Sequence, residues 1–213
     1  IMKVFIAVLL ICPFWGLSQN ADSAWIVNNY IKKEQNIPMR DGKMLYTAIY
    51  LPKDKSEKHP ILILRTPYSC SPYGSDKFKS FWDNHNMVYM KENYIMVLQD
   101  VRGKFMSEGE FVDVRPFNPN KKDKDIDEAS DTYDTVDWLI KNLEDNNGNV
   151  GVYGISYQGF YAPEAAVSNH PAVKAVSPQA PVTDWFVGDD FHHNGAFMIM
   201  DAYAFYVERI WKS

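Results

Sequence analysis

The chain has 213 residues, 46% hydrophobic and 23% charged, which suits one domain with a sizeable core and excludes a fibrous or disordered class. Its formal net charge of −5 argues against a nucleic-acid surface, which needs a basic patch. No stretch is a polybasic membrane anchor.

Lys3, the apolar run from Val4 to Trp15 and the small residues in Gly16-Leu17-Ser18 predict a signal peptide over residues 1–18, cleaved after Ser18. The run is too short to span a bilayer, and Ile11 is too bulky to precede a lipidated Cys12. The expectation is a secreted or periplasmic protein with no membrane attachment after cleavage. Cys70 would then be the one cysteine of the mature chain, a packing residue with no disulfide. Residues 19–36 read as polar and irregular, with Trp25, Ile26, Tyr30 and Ile31 as surface anchors. Ile37-Pro38-Met39, the Asp41-Gly42 turn and the strand-like run from Met44 to Leu51 predict a hairpin. After a charged turn, Ile61-Leu62-Ile63-Leu64 and residues 93–100 are continuous apolar runs, the mark of strands covered on both faces. Between them, residues 76–92 fit a helix.

A long polar loop follows Asp100 and reaches about residue 126. Within 127–142, Tyr133, Val136, Leu139 and Ile140 fall at helical spacing, and Asn147-Gly148-Asn149 stops that helix. Val150 to Tyr153 predicts a third strand, Ala162 to Ser168 a helix, and Val173 to Ser177 a fourth strand. The alternation predicts an α/β fold, a mostly parallel sheet with helices on both faces. From Trp185 the composition shifts to Gly, Asp, His and aromatics, with a helical pattern from Phe197 to Trp211.

Gly154-Ile155-Ser156-Tyr157-Gln158-Gly159 is a Gly-x-Ser-x-Gly sequence between a predicted strand and a helix-compatible run. That context is what a nucleophile elbow requires, because the glycines sit where side chains would clash and the serine hydroxyl is left exposed. Adjacent His192-His193 lack the spacing of a zinc site, and residues 123–128 lack the glycine and final glutamate of a calcium loop. Residues 123–128 read instead as a solvated loop with acidic bias at a helix N-terminus. No metal or cofactor is expected. Asp100-Val101-Arg102-Gly103 is expected to order the neighbouring loop through an Arg102 ion pair.

Met39-Arg40-Asp41-Gly42, Arg65-Thr66-Pro67-Tyr68, Gln99-Asp100-Val101-Arg102-Gly103 and the elbow together resemble the Xaa-Pro dipeptidyl-peptidase and cocaine esterase family. The run from Asp184 to Gly195 is similar to that of its α-amino-acid ester hydrolases. The resemblance implies an α/β-hydrolase fold, with residues 19–184 as its N-terminal part and 185–213 as the start of a helical cap. It implies Ser156 as nucleophile, with the Tyr157 backbone N–H and the Tyr68 hydroxyl as oxyanion donors. Asp190 would bind the substrate's α-ammonium group, with Asp189 the competing assignment. The implied substrates are small esters or amides of α-amino acids, with possible β-lactam acyl transfer. A dipeptidyl-peptidase, a general carboxylesterase and an inactive binding protein of the same fold are the alternatives, and relatives suggest a homo-oligomer.

An elbow serine on this fold needs an acid and then a histidine later in the chain. His170, His192 and His193 are the histidines that follow Ser156, and none falls in a late-strand loop. The chain therefore reads as an N-terminal fragment, inactive alone, with the catalytic Asp and His beyond Ser213. Ile1 before Met2 reads as translation starting outside the true start.

Overall fold

The computed structural model describes residues 15–81, 86–184 and 186–211. Most of the predicted signal peptide, four residues of the predicted 76–92 helix and Trp185 lie outside them. Helix α1 (Trp15–Asn29) leads into strands β1 (Tyr30–Pro38), β2 (Met44–Pro52) and β3 (His59–Thr66). Helix α2 (Asn86–Lys91), β4 (Ile95–Asp100), α3 (Glu128–Asn142), β5 (Asn146–Ile155), α4 (Tyr157–Val167) and β6 (Val173–Gln179) follow. The six strands form one sheet in the order β1-β2-β4-β3-β5-β6. β1, β2 and β4 pair antiparallel, while β4, β3, β5 and β6 run parallel.

The apolar runs of β3 and β4 are buried on both faces. On one face Ile61, Ile63, Ile95, Val97, Val150 and Val152 meet Val136 and Leu139 of α3 and Ala162 and Ala165 of α4. On the other, Leu62, Met96 and Leu98 meet Ile26 of α1, Phe81, and Met87 and Met90 of α2. Each fully buried Leu, Ile or Met stabilises the domain by roughly 1.5–3 kcal/mol, so the two layers hold the sheet rigid between them.

Residues 19–36 are regular, contrary to the sequence reading: α1 runs to Asn29, and β1 pairs with β2 along its whole length from Tyr30↔Pro52 to Pro38↔Met44. The strand is hard to see in the sequence because one of its inward residues is charged. Lys32, 3% exposed, donates from Nζ to the carbonyls of Pro72, Gly74 and Lys77 and pairs with Glu34 at 2.9 Å. Those carbonyls are engaged with the ammonium, and the predicted helix over 76–92 is reduced to Asn86–Lys91 among the described residues.

The α3 helix ends at Asn142, before the predicted stop. Asn147-Gly148-Asn149 instead belongs to β5, and the Asn146 side chain donates to the carbonyls of Ile140 and Leu143 at the helix end. At its start Asp127 and Ser130 form a capping box, with Asp127 Oδ1 accepting from the Ser130 N–H at 2.8 Å. Asp127 and Glu128 are buried, so this end of the 123–128 segment is not the solvated loop the composition suggested.

Past β6 the chain forms three strands of two residues, β7 (Gly188–Asp189), β8 (His192–His193) and β9 (Ala196–Phe197), in a small antiparallel sheet. Helix α5 (Ile199–Phe205) and one π-helical turn, Tyr206–Ile210, complete it. The segment expected to open a helical cap thus begins as a small sheet. No helix among the described residues is long and apolar enough to cross a membrane.

Candidate active site

β5 delivers Ser156 into a sharp turn and α4 leaves it one residue later. Ser156 has φ 60° and ψ −124°, a conformation that costs a non-glycine residue about 1–3 kcal/mol. Its side chain is exposed and makes no capping hydrogen bond. The turn is held by its surroundings: the Ser156 N–H donates to the Gln179 carbonyl of β6 at 2.9 Å. Both glycines of the motif are fixed by close approach. A Cβ on Gly154 would lie 2.1 Å from the Gln158 carbonyl oxygen, and one on Gly159 would lie 2.6 Å from that of Gln179. The helix therefore starts at Tyr157, five residues before the predicted start at Ala162, directly against the strand end.

The Tyr157 N–H lies in the first turn of α4, where amides have no acceptor within the helix and the dipole favours negative charge. Its side chain is buried, and its hydroxyl donates to Asp113 Oδ1 at 2.5 Å and accepts from the Val114 N–H at 2.9 Å. Asp113 Oδ2 also accepts from the Tyr206 hydroxyl, so one carboxylate ties the elbow residue to the last described helical turn.

Tyr68 follows β3, the neighbour of β5, and so leaves the same sheet edge as Ser156. Its ring meets that of Tyr157 edge-on, with centroids 6.2 Å apart. Burial pushes its phenol up to about 12, Arg209 pulls it down, and the carboxylates of Asp113 and Asp190 raise it. The hydroxyl thus stays protonated, and able to donate, throughout the ordinary pH range. Its loop is pinned: Asp100, buried at the end of β4, accepts from the Cys70 N–H at 2.7 Å and the Tyr73 hydroxyl at 2.9 Å. Burial raises the Asp100 carboxyl while these hydrogen bonds lower it.

Asp190 lies exposed in the turn between β7 and β8, close enough for its charge to act on Tyr68. The structure therefore brings Ser156, Tyr157 and Tyr68 to one sheet edge, with Asp190 within electrostatic reach of Tyr68. The expected Arg102 ion pair is present and doubled: the guanidinium binds Asp131 at 2.7 Å and Asp41 at 2.6 Å. Among the described residues no histidine is hydrogen bonded to Ser156. His170 is buried against Tyr133 at 4.7 Å and accepts from the Ala172 N–H, and the His192 ring lies tilted against those of Phe186 and Phe197. No group of three or more metal-ligating side chains occurs among the described residues.

Three features behind the edge escaped the sequence reading. Arg65, fully buried, donates to Gln99, Thr132 and the Glu128 carbonyl and lies 5.3 Å from the Tyr161 ring centroid. Thr66 links the Tyr68 loop to Gln158, and Asp113 anchors Tyr157. Arg65 and Thr66 lie inside a quoted motif, but nothing in their identity tells which atoms they reach. Asp113 stands in a loop without pattern.

The model of the X-Pro dipeptidyl-peptidase (S15) family matches residues 41–209. Cocaine esterase from Rhodococcus sp. (strain MB1 Bresler) is 34% identical over 167 residues, 76% of this chain and 26% of its own length. A solved α-amino acid ester hydrolase superposes with a TM-score of 0.70 at 42% identity, covering 79% of this chain and 28% of its own. An aminopeptidase from the marine sediment archaeon Thaumarchaeota archaeon gives 0.74 at 38% identity, over 83% of this chain and 30% of its own. The chain spans 26% to 30% of the length of these three relatives. With its elbow, its strand order and the match over residues 41–209, it belongs to the X-Pro dipeptidyl-peptidase (S15) family and carries an α/β-hydrolase fold.

Proposed function

We propose that this chain supplies the nucleophile and oxyanion hole of an exported serine hydrolase that cleaves esters and amides of α-amino acids. The observation that carries the reading is the strained, exposed Ser156 between β5 and α4, with Tyr68 on the adjoining strand end. Ser156 Oγ attacks the substrate carbonyl, and its proton passes through a general base to the leaving alcohol or amine. The resulting acyl-enzyme is released by water, or by a second amine in acyl transfer. The Tyr157 N–H and the Tyr68 hydroxyl stabilise the oxyanion; losing one such donor typically costs roughly 2.7–4 kcal/mol. Asp190 receives the α-ammonium group.

On this reading the general base and its orienting carboxylate lie outside these 213 residues. It is supported by the chain's span, 26% of the length of the cocaine esterase. The 42% identity to an α-amino acid ester hydrolase favours an amino-ester substrate. The 38% identity to an aminopeptidase keeps cleavage of an N-terminal peptide bond as the second reading.

The test is turnover by the full-length protein that contains this chain. Phenylglycine methyl ester should be cleaved, and Ser156→Ala should abolish that cleavage. Cleavage of an Xaa-Pro-amide without the ester would overturn the amino-ester reading in favour of the second. No covalent labelling of Ser156 by a fluorophosphonate would leave a binding protein of hydrolase fold.

A further inference from the structure

Thr66 closes β3 and is 2% exposed. Its Oγ1 accepts two hydrogen bonds, from the Tyr68 backbone N–H at 3.0 Å and from Gln158 Nε2 at 2.8 Å. Gln158 stands two residues after Ser156, in the first turn of α4. One buried oxygen thus joins the loop that carries Tyr68 to the helix that carries the elbow. Thr66 is itself fixed, since its carbonyl accepts from the Val101 N–H at 3.0 Å and its register partner on β4 is Asp100. Asp100 in turn holds the far side of the loop through the Cys70 N–H. The segment is clamped at residues 68 and 70, while Ser69 between them turns through φ 84°. Among the described residues, no hydrogen bond runs between this loop and the elbow except through Thr66.

We propose that the Thr66 hydroxyl is a positioning group that holds the Tyr68 phenol in register with Ser156 and the Tyr157 N–H, so that the two oxyanion donors move as one body. The inference rests on the assignment of Tyr68 and Tyr157 as those donors. Its chemistry is simple. Thr66→Val keeps the shape but leaves two N–H donors without their acceptor, and the loop and the elbow lose their shared reference point. A hydrogen bond to an oxyanion is steeply sensitive to donor placement, so a small displacement of Tyr68 appears in kcat rather than in KM.

The experiment measures kcat and KM on phenylglycine methyl ester for the full-length protein and its Thr66→Val, Thr66→Ser, Tyr68→Phe and Thr66→Val/Tyr68→Phe variants. Thr66→Val should lower kcat about 10- to 100-fold with KM changed less than about threefold, and Thr66→Ser should stay within about threefold of wild type. In the Tyr68→Phe background, Thr66→Val should cost less than about threefold more, since the group it positions is gone. Wild-type kcat in Thr66→Val, an equal loss in Thr66→Ser, or full additivity with Tyr68→Phe would each overturn the proposal. If Thr66→Val does not fold, Gln158→Ala removes one of the two bonds. It should lower kcat roughly 3- to 10-fold, again without adding to Tyr68→Phe, and additivity there is equally fatal. Failure of the underlying assignment looks different: Tyr68→Phe would then keep wild-type kcat while Ser156→Ala is inactive.

Discussion

Ser156 and Tyr68 leave a sheet whose central strands are buried on both faces, whereas Asp190 sits in a turn between two strands of two residues each. Around the first pair the backbone is fixed at every step: Ser156 to Gln179, Tyr68 to Thr66, Cys70 to Asp100. The segment from 186 to 211 instead exposes Phe186 at 64%, Ile199 at 63%, Met200 at 74% and Trp211 at 67%. It is held to the domain through Ile210, packed with Val101, Tyr157 and Tyr161, Phe205 stacked on Tyr157, the Tyr206–Asp113 hydrogen bond and the Lys104 ammonium on the Ile210 carbonyl. Groups that stabilise a transition state need placement within about half an ångström, which a sheet edge supplies. A group that selects among substrates tolerates a looser mount, and a small separate element can vary without disturbing the chemistry.

The largest effects should fall on the sheet edge. Ser156→Gly removes the proposed nucleophile and should lower amino-ester turnover by on the order of 10,000-fold or more. It also relieves the strain at φ 60°, so the thermal midpoint should not fall. A large drop in midpoint would show that the hydroxyl holds the turn together. Next comes Arg65→Met, which leaves Glu128 buried without its cation and should cost about 3–5 kcal/mol in chemical denaturation. A loss under about 1 kcal/mol would mean that the layer beneath the elbow is less committed than its burial indicates.

The same contrast decides what could be read from the sequence. The strands β3 and β4 were legible because double burial forces continuous apolar runs, and the elbow was legible because two close backbone approaches force glycine at 154 and 159. The end of β1 was legible as a hairpin arm at Ile37-Pro38, but its first seven residues were not, since Lys32 points inward and finds its partners on a loop forty residues away. Thr66 and Asp113 were missed for the same physical reason. A side-chain oxygen that accepts from distant N–H or O–H groups leaves no periodic trace in the chain. The small sheet over 188–197 was illegible because two-residue strands are shorter than any alternation that could announce them.

Asp190→Asn probes the looser half. If Asp190 receives the α-ammonium, the charge-assisted contact is worth about 1.5–3 kcal/mol, and KM for phenylglycine methyl ester should rise roughly 10- to 100-fold. Phenylacetate methyl ester, which lacks the amine, should be cleaved within about threefold of wild type. Equal losses on both esters would remove Asp190 from the ammonium site. They would also bring its segment into the mount of the catalytic groups and erase the contrast.

The last expected effect returns to the rigid half through Glu164, buried on α4 eight residues after Ser156 with Oε2 lacking a hydrogen-bond partner. Burial, together with the carboxylates of Asp127 and Glu128, raises it to about 7, well above the ordinary glutamate range. A carboxyl whose folded value lies above its unfolded one favours the folded state fully at pH below about 4.5. That contribution is lost as pH rises toward and through about 7, because the unfolded chain ionises first. Glu164→Gln keeps the shape and cannot ionise. It should nearly match wild type at pH 4.5 and exceed it at pH 8 by about 3 kcal/mol, read as a difference in thermal midpoint of roughly 5–10 degrees between the two proteins. Subtracting the wild-type curve removes every other titrating group that the substitution leaves untouched. A constant difference at both pH values would mean that Glu164 is ionised to the same extent folded and unfolded. Water would then reach the back of the elbow helix, and that half of the molecule would be less sealed than its packing indicates.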